Sequence, residues 1–365
     1  MSRILFLVNE DIVIYNFRLE VVQKFLDMGE DVYISCPYGH KLEKLKEMGA
    51  KIEDIYIDRR GTNLFKDSKL IRAYKKMIKR IRPDFVLSYT VKPNIYGAIA
   101  CKKYNVPIVA TITGLGNGIH DGGIVEKVLL FLYKRTFKTV NKVFFQNSED
   151  CSYFIEHKLL NSDYEIIPGS GVNLAKYCCL PYPKDISFLF ASRVMKQKGI
   201  EEFLDAASFI KKKQPTIMFE ICGPCDSEYE EIIKKYNMSG VINYYGRVTD
   251  PIDYYKKSAC IVLPSYHEGM SNTLLEAASC GRPLIASDVC GCKEIIDDGI
   301  NGFLCKAKNT MSLIKAIEQF ILLPFDERKK MGAMSRKKVE NNFDRKDVID
   351  KYVDAFKKYS KKERE

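Results

Sequence analysis

The sequence predicts an α/β protein of two doubly wound, Rossmann-like units, each built on a parallel sheet. Two observations predict it. Short, nearly continuous apolar runs alternate with amphipathic helical patterns, and this alternation halts at a cluster of chain breakers in mid-chain and then restarts. Strands apolar along their whole length belong to parallel sheets covered on both faces, since a half-solvated sheet would alternate polar and apolar residues. The 365 residues agree, at roughly 100–200 residues per domain.

Ile4–Val8 is the first strand. Asp31–Cys36, Lys51–Ile57, Asp84–Tyr89, Pro107–Ile112 and Lys142–Gln146 follow, each rich in Val, Ile, Phe or Tyr. Helical spacing of apolar residues predicts Phe17–Met28, Leu64–Ile81, Asn94–Tyr104 and Ile124–Val140 between them. Pro168-Gly169-Ser170-Gly171 and Pro181-Tyr182-Pro183 are the densest breakers in mid-chain and place a boundary there. Strands resume at Ile186–Ala191, Ile217–Cys222, Val241–Tyr245, Cys260–Leu263, Pro283–Ala286 and Gly302–Leu304, and Phe343 to Tyr359 reads as a last amphipathic helix. The expected domains are 1–175 and 180–342, closed by the segment 343–365. In such sheets ligands bind beyond the carboxyl ends of the strands. Two units side by side would face each other across a cleft lined by two such rims.

Composition removes several classes. With 46% hydrophobic and 29% charged residues the chain is neither disordered nor collagen-like. The longest apolar run inside a predicted helix, Val128–Tyr133, is far below the roughly 20 residues that span a bilayer. The five apolar residues Ile4–Val8 ahead of Asn9-Glu10-Asp11 are too few for a signal peptide. The twelve cysteines are scattered, several within apolar runs (Cys101, Cys260, Cys280), so reduced thiols and a cytoplasmic location are expected. The net charge is +11, and ten cations stand between Arg59 and Arg82 against the single acid Asp67. Such a run suits nucleic acid, anionic lipid or an anionic substrate, or is simply a solvated helix face. Aromatic residues interleave with it only sparsely, so no nucleic-acid partner is expected.

Two loops that follow strands hold the chemistry. After Ile186–Ala191 come Ser192-Arg193-Val194-Met195-Lys196-Gln197-Lys198-Gly199 and a helix start. Cations beside the free N–H groups and positive dipole end of a helix suit a diphosphate. After Cys260–Leu263 come Pro264-Ser265-Tyr266-His267-Glu268-Gly269-Met270-Ser271-Asn272-Thr273, and then Glu276 about a turn into the helix Asn272–Ser279. Carboxylates there can accept sugar hydroxyls while amides of Gly269, Met270, Ser271, Asn272 and Thr273 hold phosphate oxygens. Glu276 lies among Leu274, Leu275, Ala277 and Ala278, where a charge needs a partner.

Arg193–Gly199 together with Glu268–Glu276 resembles the donor-site signature of family 4 glycosyltransferases. Pro264-Ser265, Cys280-Gly281-Arg282-Pro283 and Gly291-Cys292-Lys293-Glu294 extend the resemblance over about residues 186–305. It implies the GT-B fold, a nucleotide-sugar donor and transfer with retention of configuration, without a metal or other cofactor. Arg193 and Lys198 would bind the donor diphosphate, Glu268 would contact the transferred sugar, and Glu276 would hold the ribose. The final helix would cross back onto the N-terminal domain. Tyr15-Asn16-Phe17-Arg18 and Thr113-Gly114-Leu115-Gly116-Asn117-Gly118 are similar to bacterial members that extend lipid-linked saccharides for capsule, O-antigen or protein glycosylation. This implies a UDP-linked hexose or N-acetylhexosamine donor, an acceptor on undecaprenyl diphosphate, and an enzyme at the inner face of the plasma membrane. The expected contact with anionic lipid rests on the Arg59–Arg82 cations and on Ile124–Lys142, with the acceptor cleft opening near Thr113–Gly123. The sequence departs from the broader family in two places: Asn9-Glu10-Asp11 replaces a glycine pair, and Gly114-Leu115-Gly116 stands where many members carry a histidine. No side chain therefore inherits the role of base.

Other motifs compete. Cys222-Gly223-Pro224-Cys225 has the spacing of a redox motif, which would need a first cysteine of lowered pKa. Cys290-Gly291-Cys292 and Cys178-Cys179 lack metal-ligand spacing. A sugar-nucleotide epimerase or a phosphorylase on the same fold is the rival enzyme reading.

Overall fold

A computed structural model describes residues 1–58, 64–115 and 123–361. Arg59 and Arg60 of the basic run, and Gly116 to Gly118 of the glycine-rich loop, lie outside the described residues. The chain forms two units, Met1–Ser170 with Lys346–Glu365, and Gly171–Arg345.

Among the described residues the first unit carries a seven-stranded parallel sheet ordered β3-β2-β1-β4-β5-β6-β7. The strands are β1 (Arg3–Leu7), β2 (Asp31–Cys36), β3 (Lys51–Asp54), β4 (Phe85–Tyr89), β5 (Ile108–Ile112), β6 (Lys142–Phe145) and β7 (Asp163–Ile166). Their order reverses between β1 and β4, where Leu7 faces Ser35 on one side and Ser88 on the other. Helices α1 (Asp11–Asp27), α2 (Lys41–Glu47), α3 (Leu64–Ile81), α4 (Val91–Tyr104), α5 (Gly123–Thr136) and α6 (Ser148–Glu156) connect them. Successive strand residues feed opposite cores: Leu5, Leu7 and Val86 pack with Tyr74, Ile95 and Phe137 on one face, and Ile4, Phe6 and Phe85 pack with Ile14 and Phe25 on the other. With both faces buried, the strands are apolar throughout.

The elements differ from the prediction where local signals compete. α1 begins at Asp11, ahead of Phe17, because burial of Ile14 and an acid in the first turn outweigh the weak helix propensity of Ile12-Val13-Ile14. β3 stops at Asp54 instead of Ile57. β7 has no counterpart in the prediction, since Asp163-Tyr164-Glu165-Ile166 is an edge strand with little apolar face to betray it. The predicted helix Ile124–Val140 divides into α5 and a 3-10 turn, Phe137–Thr139.

The second unit holds a six-stranded parallel sheet ordered β10-β9-β8-β11-β12-β13. Its strands are β8 (Ser187–Ala191), β9 (Met218–Cys222), β10 (Asn243–Tyr244), β11 (Cys260–Leu263), β12 (Leu284–Ser287) and β13 (Gly302–Cys305). Helices α7 (Ile200–Lys213), α8 (Glu230–Met238), α9 (Ile252–Lys257), α10 (Asn272–Ser279), α11 (Thr310–Leu322) and α12 (Phe325–Asn342) link and cover them. β10 is shorter than the predicted Val241–Tyr245, as the Val241 amide is taken by the Tyr236 carbonyl at the end of α8.

The chain passes between units at Ser170/Gly171 and returns at Arg345/Lys346, displaced from the expected limits of 175 and 343. The displacement has a cause. Val172 donates to the Phe343 carbonyl at 2.8 Å and accepts from the Arg345 amide at 3.1 Å, so both passages are tied to the second unit first. Helix α13 (Arg345–Tyr359) then packs on the first unit: the Phe356 ring lies 5.4 Å from Phe25 and 5.6 Å from Phe85, and the Tyr352 hydroxyl is 2.9 Å from Thr111 Oγ1. Arg18, 2% exposed, sits over the Tyr89 ring at 4.9 Å and the Tyr352 ring at 5.7 Å. Phe356→Ala should cost the first unit about 3–5 kcal/mol. Denaturant unfolding followed by hydrogen exchange at β1 and β4 checks this, and unchanged protection there would contradict the packing role.

Candidate active site

The loops beyond β8, β9 and β11 carry the groups singled out in the sequence, and backbone contacts hold them together. After β8 the chain passes Arg193, makes a 3-10 turn at Lys196–Lys198 and enters α7 through Gly199. Gly199 has φ +74°, and a Cβ on it would stand 2.0 Å from the Pro264 carbonyl oxygen. Only glycine allows this approach. The Tyr266 amide donates to the Gln197 carbonyl at 2.9 Å, and Thr273 Oγ1 donates to the Ala191 carbonyl at 2.9 Å. The loops after β8 and β11 are thus one surface.

Lys198 Nζ meets Glu268 Oε1 at 2.5 Å, and Ser265 Oγ donates to the same oxygen at 2.8 Å. The lysine and glutamate side chains are 25% and 12% exposed. Arg193, more open, donates from Nε to Asp226 Oδ1 at 2.5 Å. Ser271 caps α10 by accepting from the Leu274 amide, while its own amide donates to the Gly291 carbonyl at 2.8 Å. One of the amides expected to meet phosphate is therefore already engaged. Met270 turns its side chain into the core, and Thr273 uses its hydroxyl on Ala191, so these two contribute to the rim through backbone only. The Glu294 carboxylate accepts from the Gly291 amide at 2.8 Å and fixes the turn beneath the loop.

Glu276 is half-buried, one turn into α10, and accepts from the Tyr255 hydroxyl at 3.1 Å. Burial raises its pKa, while hydrogen bonds from Tyr255 and Tyr177 and the charges of Lys176 and Arg345 work in the opposite direction. Asp226, Ser265, Tyr177 and Tyr255 were not assigned roles from the sequence. Ser265 lay within the quoted motif, but Tyr255 and Asp226 join their partners across 21 and 33 residues, with no local pattern to reveal them.

The Cys222-Gly223-Pro224-Cys225 segment is not poised for redox chemistry: burial pushes the Cys222 thiol up to about 12 and raises that of Cys225 as well. Among the described residues no group of three or more His, Cys, Asp or Glu could hold a metal ion.

Two doubly wound parallel-sheet units in one chain are the architecture of the GT-B fold. Residues 180–338 match the model of glycosyl transferases group 1, and residues 3–147 match that of glycosyl transferase 4-like domains. The chain belongs to these glycosyltransferases. It is 28% identical, over 90% of its length and 91% of the relative's, to the N,N'-diacetylbacillosaminyl-diphospho-undecaprenol alpha-1,3-N-acetylgalactosaminyltransferase of Campylobacter jejuni. It is 28% identical, over 81% of each chain, to the UDP-Gal:alpha-D-GlcNAc-diphosphoundecaprenol alpha-1,3-galactosyltransferase of Escherichia coli. The capsular polysaccharide biosynthesis glycosyltransferase CapM of Staphylococcus aureus is 24% identical over 92% of this chain and 91% of its own. Among solved structures, Anabaena HepE in complex with UDP and glucose superposes with a TM-score of 0.80 at 16% identity, covering 98% of this chain and 100% of that one. Sucrose-phosphate synthase from Thermosynechococcus elongatus gives 0.82 at 17% identity, covering 98% and 99%. These two likenesses show the fold.

Glu276→Gln removes a charge that burial disfavours and keeps an acceptor for Tyr255. A carboxyl whose pKa is raised by folding stabilises the fold at low pH and loses that contribution as pH rises through the raised value. The variant should therefore melt above the wild type at pH 8, and the gap should close toward pH 4. Thermal melts at the two pH values check it; a Gln variant that melts lower at pH 8 would contradict the sign.

Proposed function

We propose that this glycosyltransferase moves a sugar, with retention of configuration, from a UDP-sugar to a saccharide on a lipid diphosphate in bacterial surface-glycan synthesis. The observation that carries the reading is the joined loop surface after β8 and β11, where Lys198 meets Glu268 and Arg193 meets Asp226, with Glu276 half-buried in the following helix. The Campylobacter and Escherichia relatives are named for acceptors on diphospho-undecaprenol, the latter with UDP-Gal as donor, and HepE is a UDP complex.

In this reading Arg193 and Lys198 face the diphosphate. As the bond from the sugar's anomeric carbon to the phosphate oxygen breaks, charge grows on that oxygen, and fixed cations stabilise it without reorganising. Glu268, oriented by Lys198 and Ser265, accepts from hydroxyls of the transferred sugar. Glu276 accepts from the ribose hydroxyls once ionised. The acceptor hydroxyl bonds to the anomeric carbon on the face the phosphate leaves, and its proton passes to the departing phosphate oxygen. The cations do the work a metal does elsewhere, so no cofactor is invoked.

The acceptor's lipid requires contact with the membrane surface. No helix among the described residues is long and apolar enough to cross a bilayer; the proposed contact is peripheral and rests on surface charge. Lys69, Arg72, Lys76, Lys79 and Arg80 are exposed along α3. On α5, Ile124 and Phe131 are 82% and 61% exposed, with Val125 and Val128 also outward, whereas Phe137 is buried and Leu129 and Leu132 pack on the core. Helix α4 packs against both. The cations do most of the attracting, at about 1 kcal/mol each near an anionic surface.

Arg193→Ala and Lys198→Ala should each slow transfer by about a hundredfold or more, the usual scale for a lost charge-stabilising donor, while EDTA leaves the rate unchanged. Mass-spectrometric turnover of a sugar-nucleotide panel reads both; full activity in the two variants, or loss with EDTA, would contradict the mechanism. Glutamate at Lys69, Lys76 and Lys79 should release the protein from anionic liposomes in co-sedimentation. Equal binding by variant and wild type would remove α3 from the membrane contact.

A further inference from the structure

The Cys222-Gly223-Pro224-Cys225 segment forms a platform under the loop that carries Arg193. Gly223 has φ +145°, and a Cβ there would lie 1.9 Å from the Ser192 carbonyl oxygen, so the two loops touch backbone to backbone. The Val194 amide donates to the Pro224 carbonyl at 2.8 Å, and the Asp226 amide donates back to the Val194 carbonyl at 3.1 Å. Val194 and Cys225 pair as an isolated parallel bridge. The Asp226 carbonyl accepts from the Tyr229 amide at 2.9 Å, and the Tyr229 hydroxyl donates to Glu201 at 2.7 Å on the helix that follows Lys198. Asp226 is therefore fixed on both sides of its own backbone, and its carboxylate meets Arg193 Nε at 2.5 Å.

We propose that Asp226 is a positioning residue for the donor diphosphate: it grips the Arg193 guanidinium by Nε and aims the Nη1 and Nη2 ends at the phosphate oxygens. The proposal rests on the reading that Arg193 meets the diphosphate. The chemistry favours the division of labour. A guanidinium is a rigid planar fork, so fixing one nitrogen fixes the direction of the others. An arginine side chain this open, 47% exposed, would otherwise spread over many rotamers, and an ordinary surface ion pair holds little. Here the carboxylate is set by a backbone ladder and is itself only 22% exposed. Asp226 repels a phosphate less than its charge suggests, because the guanidinium stands between them.

Calorimetry with UDP and GDP, and with uridine and guanosine as controls, tests the assignment. Asp226→Asn should weaken binding of whichever diphosphate the wild type takes by about tenfold, or about 1.4 kcal/mol, with the nucleoside control unchanged. Asp226→Glu should recover most of the loss. In an Arg193→Ala background, Asp226→Asn should change diphosphate affinity by less than about twofold, since residues acting through one contact are not additive. If Arg193→Ala weakens the diphosphate but Asp226→Asn does not, or if Asp226→Asn costs as much without Arg193 as with it, the positioning role is wrong. If Asp226→Asn weakens nucleoside and diphosphate alike, its role is structural only, and the proposal falls. If Arg193→Ala leaves diphosphate binding intact, the underlying reading of Arg193 fails along with it.

Discussion

Lys198 and Glu268 are 70 residues apart in the chain, and their 2.5 Å contact joins the loop after β8 to the loop after β11. Neither group could stand alone at the exposures they have, because a mostly buried charge without a partner costs several kcal/mol. Once paired, they fix the direction of Ser265 and the course of the chain into α10. The parallel sheet brings the loops to one edge, and glycine at 199 lets the backbones approach closely enough for the pair to form. The site is thus a consequence of sheet order: in β10-β9-β8-β11-β12-β13, the loops after β9, β8 and β11 are neighbours.

The same unit holds a carboxylate that its fold does not favour. Glu276 is half-buried, and the cost of its partial desolvation is offset only in part by two tyrosine hydroxyls and the charges of Lys176 and Arg345. Arg193 shows the complementary arrangement, an open cation given direction by a carboxylate on a rigid platform.

Much of this was legible in the sequence, for physical reasons. Strands covered on both faces read as apolar runs, so both sheets could be placed from Ile4–Val8 onward. The loops that hold Arg193, Lys198 and Glu268, and the helix that holds Glu276, could be singled out because they follow strands, where backbone amides gather; the roles given to these four side chains came from the resemblance and stand as proposals. What stayed hidden depends on tertiary register. β7 lies at an edge with only Tyr164 and Ile166 on its apolar side, both half-exposed, and α1 opens on β-branched residues that read poorly as helix. Asp226 follows a cysteine pair that looks like a redox motif until the depth of Cys222 and the contact of Gly223 with Ser192 are known. Tyr177 and Tyr255 reach Glu276 from segments with no local pattern pointing to a carboxylate.

The family likeness accounts for sugar transfer as a class, while the roles of individual side chains rest on chemistry at the strand ends. A crystal structure with UDP bound tests that chemistry most directly. The account predicts the diphosphate on Arg193 and Lys198 and the ribose hydroxyls within hydrogen-bond reach of Glu276. UDP seated elsewhere, or a ribose that leaves Glu276 bonded only to its tyrosines, would contradict it.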